Sequence, residues 1–302
     1  MNILLTANES AGLNAFRIVN ESGHDIIAVA TPIENTAIRI MAQKKGIPVI
    51  DPIYLKDPLF AEWISKNKVD VLLNVHLLYI IHPCILNEVS FGAFNLHPGP
   101  LPKYAGLNAP SWAIHNGETE HGVTLHWLEP GIDTGPIAYK SVIPVHDHDT
   151  GLSVSTRCSK DEVELIKRLM EDCKTAPASI PKQPQDMLSR HYYGKNDRPN
   201  NGIINWDTPS VEIDRFIRAS NYAPFQSPWG VPRTWYKKAE VEVYSIKCTP
   251  DKSEEMPGTI GASENGMVTV ATADYQVQLT SCSVQGEIIS PAAYFVSGEV
   301  LS

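Results

Sequence analysis

The sequence predicts an α/β fold, a parallel sheet covered by helices on both faces, followed by a smaller and mainly β domain. Three observations predict it. The first 75 residues alternate short apolar runs with amphipathic stretches. A proline-punctuated polar segment interrupts the chain after residue 174. The remainder alternates apolar and polar residues at the period of two that a half-buried strand requires. The expected boundaries are 1–175 for a Rossmann-like domain, 176–202 for a linker and 203–302 for a β domain resembling a small OB-like barrel.

Each element follows from local pattern. Residues 2–7 (NILLTA) form a short apolar run, as a strand buried on both faces does. Residues 11–20 place Leu13, Phe16, Ile18 and Val19 at helical spacing. DIIAVA at 25–30 reads as a second strand, 36–45 as a helix stopped by Gly46, and 47–50 as a third strand. Residues 59–66 read as a helix and VDVLLN at 69–74 as a fourth strand. Such a β-α-β series implies parallel strands, and ligands of such sheets bind beyond the carboxyl ends of the strands. A fifth strand is expected at 92–95, a helix at 110–116, a sixth strand at 122–127, and a long helix at 151–172 capped by Asp149 or Thr150. Pro177, Pro181, Pro184 and Pro199 punctuate the linker. Beyond it, 211–219 is a short amphipathic helix, and VEVYSI (241–246), MVTVAT (267–272) and YQVQLTS (275–281) are strands.

Composition excludes several classes. A chain of 302 residues, 43% hydrophobic and 20% charged, buries enough surface to fold without disulfide or metal staples. Mean hydropathy is −0.16, and no apolar run reaches the roughly 18 residues of a membrane span. The N-terminal MNILLTANESAG has neither the basic region nor the long apolar core of a signal peptide, which points to the cytoplasm. A net charge of −9 argues against a nucleic-acid partner, because phosphate binding is driven by Lys and Arg. Cys84, Cys158, Cys173, Cys248 and Cys282 are odd in number and lack CxxC spacing, so they read as idle thiols and no metal site is expected. The first strand is followed by ANESAGL rather than GxGxxG, and no GxxxxGK[ST] occurs, so neither nucleotide fingerprint is present. A homodimer is among the assemblies the sequence permits.

The densest polar cluster is FNLHPGPLPKYAGLNAP, followed by GVTLHWLEPGIDTGPI. Asn95 and His97 lie two apart at the end of the fifth strand, so both point to one face. Pro98, Pro100 and Pro102 then stiffen the loop. Asp133 stands between Gly131 and Gly135 in a turn after the sixth strand, and adjacent strand ends bring its carboxylate within reach of His97. The three groups together suit acyl transfer to an amine. Asn95 donates an amide N–H to a developing oxyanion, His97 accepts the proton of the amine, and Asp133 fixes the ring and raises the pKa of the imidazole. No Ser or Cys is placed as a covalent nucleophile, which favours direct transfer. Each of the three, taken alone, is also an ordinary turn or core residue.

These residues resemble the folate-dependent formyltransferase family, which includes glycinamide ribonucleotide, methionyl-tRNA and amino-sugar formyltransferases. The resemblance is carried by Asn95-Leu-His97-Pro98, Leu101-Pro102-Lys103-Tyr104, Gly106, Pro110, Trp112, Gly117-Glu118, Gly122-Val-Thr124 and the Asp133-Thr-Gly135 turn. GIINW at 202–206 and FIRAS at 216–220 extend it to the two-domain, methionyl-tRNA-like members. The resemblance implies 10-formyltetrahydrofolate as donor and Asn95, His97 and Asp133 as the catalytic trio. It also implies a folate site between the loop after the fourth strand and the Asp turn. There Leu78, Tyr79, Ile80 and Ile81 sandwich the pterin or pack in the core, and Glu129, Gly131 and Ile132 are its neighbours in the turn. Many members have Arg where this chain has Ala105, which leaves the acceptor open.

Two features argue against initiator tRNA as acceptor. The chain lacks the basic insertion after the second strand, and residues 201–302 hold seven Lys or Arg against twelve Asp or Glu. A small-molecule amine is expected, with an amino sugar, nucleotide-linked, ranked first by family breadth. Tyr222, Phe225, Trp229, Trp235 and Tyr236 either stack on such a ligand or pack inside the domain. A hydroxyornithine-type or carrier-bound amino acid ranks second. The rival classes are a hydrolase of the same folate and a non-catalytic folate binder, and a binder has no need of the trio.

Overall fold

Strands of fully buried aliphatic residues build the central sheet; Ile3, Leu4, Leu5, Leu72 and Leu73 have no exposed surface. A computed structural model of the protein describes residues 1–34 and 36–302, and its chain divides into two compact units. The first unit comprises Met1–Ala109, His121–Ile143 and Thr156–Tyr193, and the second Pro110–Glu120, Pro144–Ser155 and Gly194–Ser302.

In chain order the strands are β1 (Asn2–Ala7), β2 (Asp25–Ala30), β3 (Val49–Ile50), β4 (Val71–Val75), β5 (Gly92–His97), the short β6 (Ala105–Gly106), β7 (Glu120–Trp127), β8 (Ile137–Pro144) and the short β9 (Tyr192–Tyr193). Helices α1 (Glu9–Glu21), α2 (Thr36–Lys44), α3 (Phe60–Lys66), α4 (Pro83–Glu88), α5 (Ala109–His115) and α6 (Gly151–Thr175) alternate with them. The sheet order is β3-β2-β1-β4-β5-β7-β8, and β6 pairs with β9 apart from it. From β3 to β5 all pairings are parallel. Between α3, α4 and the sheet lies a core of Leu4, Leu55, Ile64, Leu72 and Ile85.

The sheet is mostly, not wholly, parallel, since β7 runs antiparallel to β5. Between these strands the chain forms a loop, β6 and α5, with no crossover along the sheet, so it re-enters from the carboxyl end. β8, whose sequence IAYKSVIP carries no regular alternation, occupies the edge and lies outside the strands that the sequence predicts.

The second unit is an antiparallel sheet of β10 (Arg233–Tyr236), β11 (Ala239–Lys252), β12 (Ile260–Glu264), β13 (Met267–Val270), β14 (Tyr275–Val284) and β15 (Glu287–Ile289). C-terminal bridges, Tyr236 with Leu301 and Thr259 with Val300, close the sheet on itself. Helix α7 (Ser210–Ala219) buries Ile213, Phe216 and Ile217 against it, and α8 (Pro291–Tyr294) is a single turn. Trp229 and Tyr236 are core residues here, whereas Phe225 is exposed. Trp112 meets Trp229 edge to face at 4.7 Å, and Arg218 donates to the Asp149 carbonyl at 2.8 Å, which ties 110–120 and 144–155 into this unit. Among the described residues all five cysteines are free, no helix is long and apolar enough to cross a membrane, and no cluster of His, Cys, Asp or Glu is placed to hold a metal.

Candidate active site

Polar residues line up across the carboxyl end of the first unit's sheet, where parallel strands leave a crevice. The register pairs Thr6 of β1 with Asn74 of β4, Asn74 with Asn95 of β5, and Asn95 with His126 of β7. A hydrogen-bond chain follows this row. The Thr6 hydroxyl donates to Asn74 Oδ1 (2.6 Å), Asn74 Nδ2 to Asn95 Oδ1 (2.7 Å), and Asn95 Nδ2 to His126 Nε2 (3.0 Å). His126 Nδ1 donates in turn to the Trp127 carbonyl (2.8 Å), which leaves Nε2 as an acceptor. Because Asn74 presents N–H to the Asn95 carbonyl oxygen, the Asn95 amide cannot flip without placing N–H against N–H. The row therefore fixes which end of Asn95 turns toward His126 and Asp133.

Asp133 completes the cluster. It is buried, with a left-handed φ of 55°, in the turn between β7 and β8. Its Oδ2 accepts from the Gly106 N–H (2.8 Å) and lies 3.6 Å from His97 Nδ1; its Oδ1 accepts from Asn95 Nδ2 (3.2 Å) and lies 3.4 Å from His126 Nε2. Asn95, His97 and Asp133 thus converge as the sequence expected. Both amide hydrogens of Asn95 are engaged within the cluster.

His97 is only 4% exposed, and its Nε2 donates to the Tyr104 carbonyl at 2.6 Å. A carbonyl only accepts, so Nε2 carries the hydrogen and Nδ1 holds the free lone pair. Gly99 makes this approach possible, since a Cβ there would lie 2.7 Å from His97 Nε2 and 2.9 Å from the Tyr104 oxygen. The loop is pinned by Thr124, which donates to the Gly99 carbonyl and accepts from Leu101 N, and by His121 Nε2 against the Pro98 carbonyl. Ala105, where the resemblance sets Arg, is fully buried and pairs with Tyr192.

Electrostatics separate the two titrating groups. Burial pushes the His97 imidazole below its ordinary value, and Asp133 and the Tyr104 carbonyl only partly oppose this. Burial alone would raise Asp133, but His97, His126 and the Gly106 N–H outweigh it and hold the carboxyl well below the usual carboxylate range. At neutral pH the pair is a neutral base beside a fixed negative charge.

The expected folate neighbours divide by burial. Leu78 is 74% and Ile80 70% exposed, on the loop that follows β4. Tyr79 is half-buried under the Lys56 ammonium, and Ile81 belongs to the core. Glu129, Gly131 and Ile132 are exposed in the turn that carries Asp133. Asn74 Nδ2 also reaches the Leu77 carbonyl (3.2 Å), so the loop is tied to the polar row.

His126, Asn74 and Thr6 escaped the sequence reading. His126 carried a signal, because Thr124 and His126 alternate with Val123, Leu125 and Trp127 and so mark a polar face. Asn74 and Thr6 are single polar residues inside apolar strands, and only the register aligns them.

The family model described as formyl transferase matches residues 11–170, and that described as formyl transferase, C-terminal domain, matches residues 198–299. Among solved structures, the chain is similar to WlaRD, a sugar 3N-formyl transferase crystallised in the presence of dTDP and 5-N-formyl-THF. That match has 18% identity and a TM-score of 0.71, and covers 95% of this chain and 98% of that one. It is also similar to the N-formyltransferase from Helicobacter canadensis in complex with folinic acid and dTDP-3-aminofucose, at 18% identity and a TM-score of 0.68, covering 92% of this chain and 98% of that one. HypX from Aquifex aeolicus, in complex with tetrahydrofolic acid, matches at 19% identity and a TM-score of 0.63, over 97% of this chain and 46% of that one.

Proposed function

The chain belongs to the formyl transferase family of folate-dependent enzymes, and from that premise we propose that it transfers a formyl group from 10-formyltetrahydrofolate to the primary amine of a nucleotide-linked amino sugar. The observation that carries the reading is the buried cluster in which His97 Nδ1, a neutral lone pair, faces the ionised Asp133 at 3.6 Å beside the Asn95 amide.

The loops at this end of the sheet suit a flat donor. Exposed aliphatic side chains flank the polar cluster on both sides, Leu78 and Ile80 on one loop and Ile132, 43% exposed, on the other. Such side chains are best explained by a largely apolar ring ligand. Leu78, Ile80 and Ile132 would hold the pterin, Tyr79 and Ile81 would support the loop from beneath, and Glu129 and Gly131 would supply turn backbone. When bound, the donor supplies an activated one-carbon unit at the formyl level.

The chain's own groups do the rest. His97 takes the proton of the attacking amine at Nδ1, the one ring nitrogen with a free lone pair, as the new carbon–nitrogen bond forms, and returns it to the departing N10 of the donor as the old carbon–nitrogen bond breaks and tetrahydrofolate leaves. The new charge lies against Asp133, which stabilises it in a water-poor site. Asn95 gives one N–H to carbonyl oxygen charge, exchanging its 3.2 Å bond to Asp133 as that carboxylate turns to the imidazolium.

The amino-sugar acceptor is supported by likeness, over nearly the whole chain, to proteins solved with dTDP and dTDP-3-aminofucose. The acidic balance of residues 201–302 favours a small molecule over tRNA. The experiment incubates the protein with 10-formyltetrahydrofolate and a panel of dTDP-linked 3-amino and 4-amino sugars, carrier-bound amino acids and hydroxyornithine, and identifies products by mass spectrometry. Formylation of a sugar nucleotide is expected. Formylation of an amino acid alone would replace the acceptor, and release of formate without any amine would replace transfer by hydrolysis.

A further inference from the structure

Gln185 stands in the proline-punctuated segment, outside the chemistry described above. Its Nε2 donates to the carbonyl oxygens of Asp133 (2.9 Å) and Gly135 (2.7 Å), so one amide group clasps both ends of the turn from which the carboxylate projects. That turn needs holding, because Asp133 occupies left-handed backbone that non-glycine residues adopt at a cost. The segment grips the same strand end elsewhere. Arg190 donates to the Ile132 carbonyl (3.0 Å), Gln183 and Ile137 exchange both backbone hydrogen bonds (2.8 and 3.0 Å), and Trp127 Nε1 donates to the Pro181 carbonyl (2.7 Å). Further on, the same segment becomes β9 and pairs with β6, whose Gly106 N–H donates to the Asp133 carboxylate. A single stretch of chain thus holds the backbone of Asp133 and also the strand that holds its side chain.

We propose that Gln185 is a positioning residue, which sets the Asp133 carboxylate against His97 by fixing the carbonyls on either side of Thr134. The proposal rests on the role given to Asp133 in formyl transfer. A geometric constraint of this kind acts on turnover more than on affinity, since misplacement by about 1 Å at a reacting centre costs on the order of 100-fold.

The test uses Gln185→Leu and the isosteric Gln185→Glu in the full-length protein, with folding checked by circular dichroism and thermal melting. For folded Gln185→Leu, kcat is expected to fall about 10–100-fold with the donor KM within about 3-fold. In Gln185→Glu a carboxylate meets two carbonyls at high pH, whereas its protonated form restores one donor. The ratio of its kcat to that of the wild type is therefore expected to rise as pH is lowered from 8 to 5.5 (~), which a purely structural role would not produce. An NMR titration of the His97 Cε1 proton supplies a readout that needs neither donor nor acceptor. The charged or titratable groups that act on His97 are Asp133, His126 and His76. Withdrawal of Asp133 is expected to move the His97 midpoint to lower pH in Gln185→Leu. Folded variants with unchanged kcat and an unchanged His97 titration would overturn the proposal, as would lost turnover with His97 unmoved. A wild type that formylates no amine, with the His97 midpoint still displaced in the variant, would sink the proposed reaction and leave the positioning role standing.

Discussion

Replacing Asp133 by Asn removes one negative charge and keeps the shape and burial of the cluster. The carboxylate oxygen lies 3.6 Å from His97 Nδ1. At an effective dielectric of about 20, unit charges at that separation attract by about 4–5 kcal/mol, an upper bound equal to about 3 pKa units. Opposite charges at such distances in proteins shift pKa values by about 1–3 units. Burial, the largest influence, already lowers His97, and Asp133 opposes it. With the carboxylate gone, His97 is expected to titrate lower still. The direction for activity follows from His97 acting as a base. Its working form is deprotonated, so the wild type retains activity above a midpoint below about 6.5 and loses it as pH falls through that midpoint. In Asp133→Asn the acid limb moves to lower pH, while kcat at pH 7 falls by about 10–1,000-fold because the imidazolium has lost its partner. The assay pairs the pH dependence of kcat with an NMR titration of the His97 ring, assigned by its loss in His97→Gln. A His97 midpoint that stays put or rises, or an unchanged kcat at pH 7, would refute the reasoning.

Other perturbations read out the remaining parts. Asn95→Ala is expected to lower kcat by about 100–1,000-fold while acceptor binding changes little, as for loss of one oxyanion donor, and steady-state kinetics in both substrates check it. Asn74→Leu leaves the Asn95 carbonyl oxygen without its donor and the buried Thr6 hydroxyl with only the Leu73 carbonyl at 3.4 Å, so denaturant unfolding should register a loss of about 1–3 kcal/mol. The same change frees the Asn95 amide to rotate and should also lower kcat. Leu78→Asp and Ile80→Asp alter exposed side chains, so melting temperatures should hold while the dissociation constant for 5-formyltetrahydrofolate, followed by fluorescence titration, rises at least about 10-fold for the pair.

Much of the site was legible because its residues obey local rules. Asn95 and His97 share a face by the period of two, and the glycines around Asp133 announced a turn at a strand end. The parallel half of the sheet was equally plain from the alternation of apolar runs and amphipathic helices. What escaped depends on tertiary placement. Nothing in IAYKSVIP or in the stretch between β5 and β7 told that the chain returns antiparallel, since strand direction is set by the connection rather than by the strand. The Thr6–Asn74–Asn95–His126 row exists only through register, and each member is one polar letter in an apolar strand. The proline-punctuated composition around Gln185 announced extended chain, but the carbonyls its amide clasps lie some fifty residues away in sequence. Burial explains the aliphatic run 77–81 in the same way: alternation turned Leu78 and Ile80 outward, while Leu77 and Ile81 joined the core.

The most direct measurement follows tetrahydrofolate release from 10-formyltetrahydrofolate by the wild type and by His97→Ala, with and without a dTDP-linked amino sugar. Release that requires the amine, matches formylated product mole for mole and is nearly lost in His97→Ala is the result predicted from a neutral imidazole held against Asp133. Turnover in His97→Ala comparable to that of the wild type would contradict it.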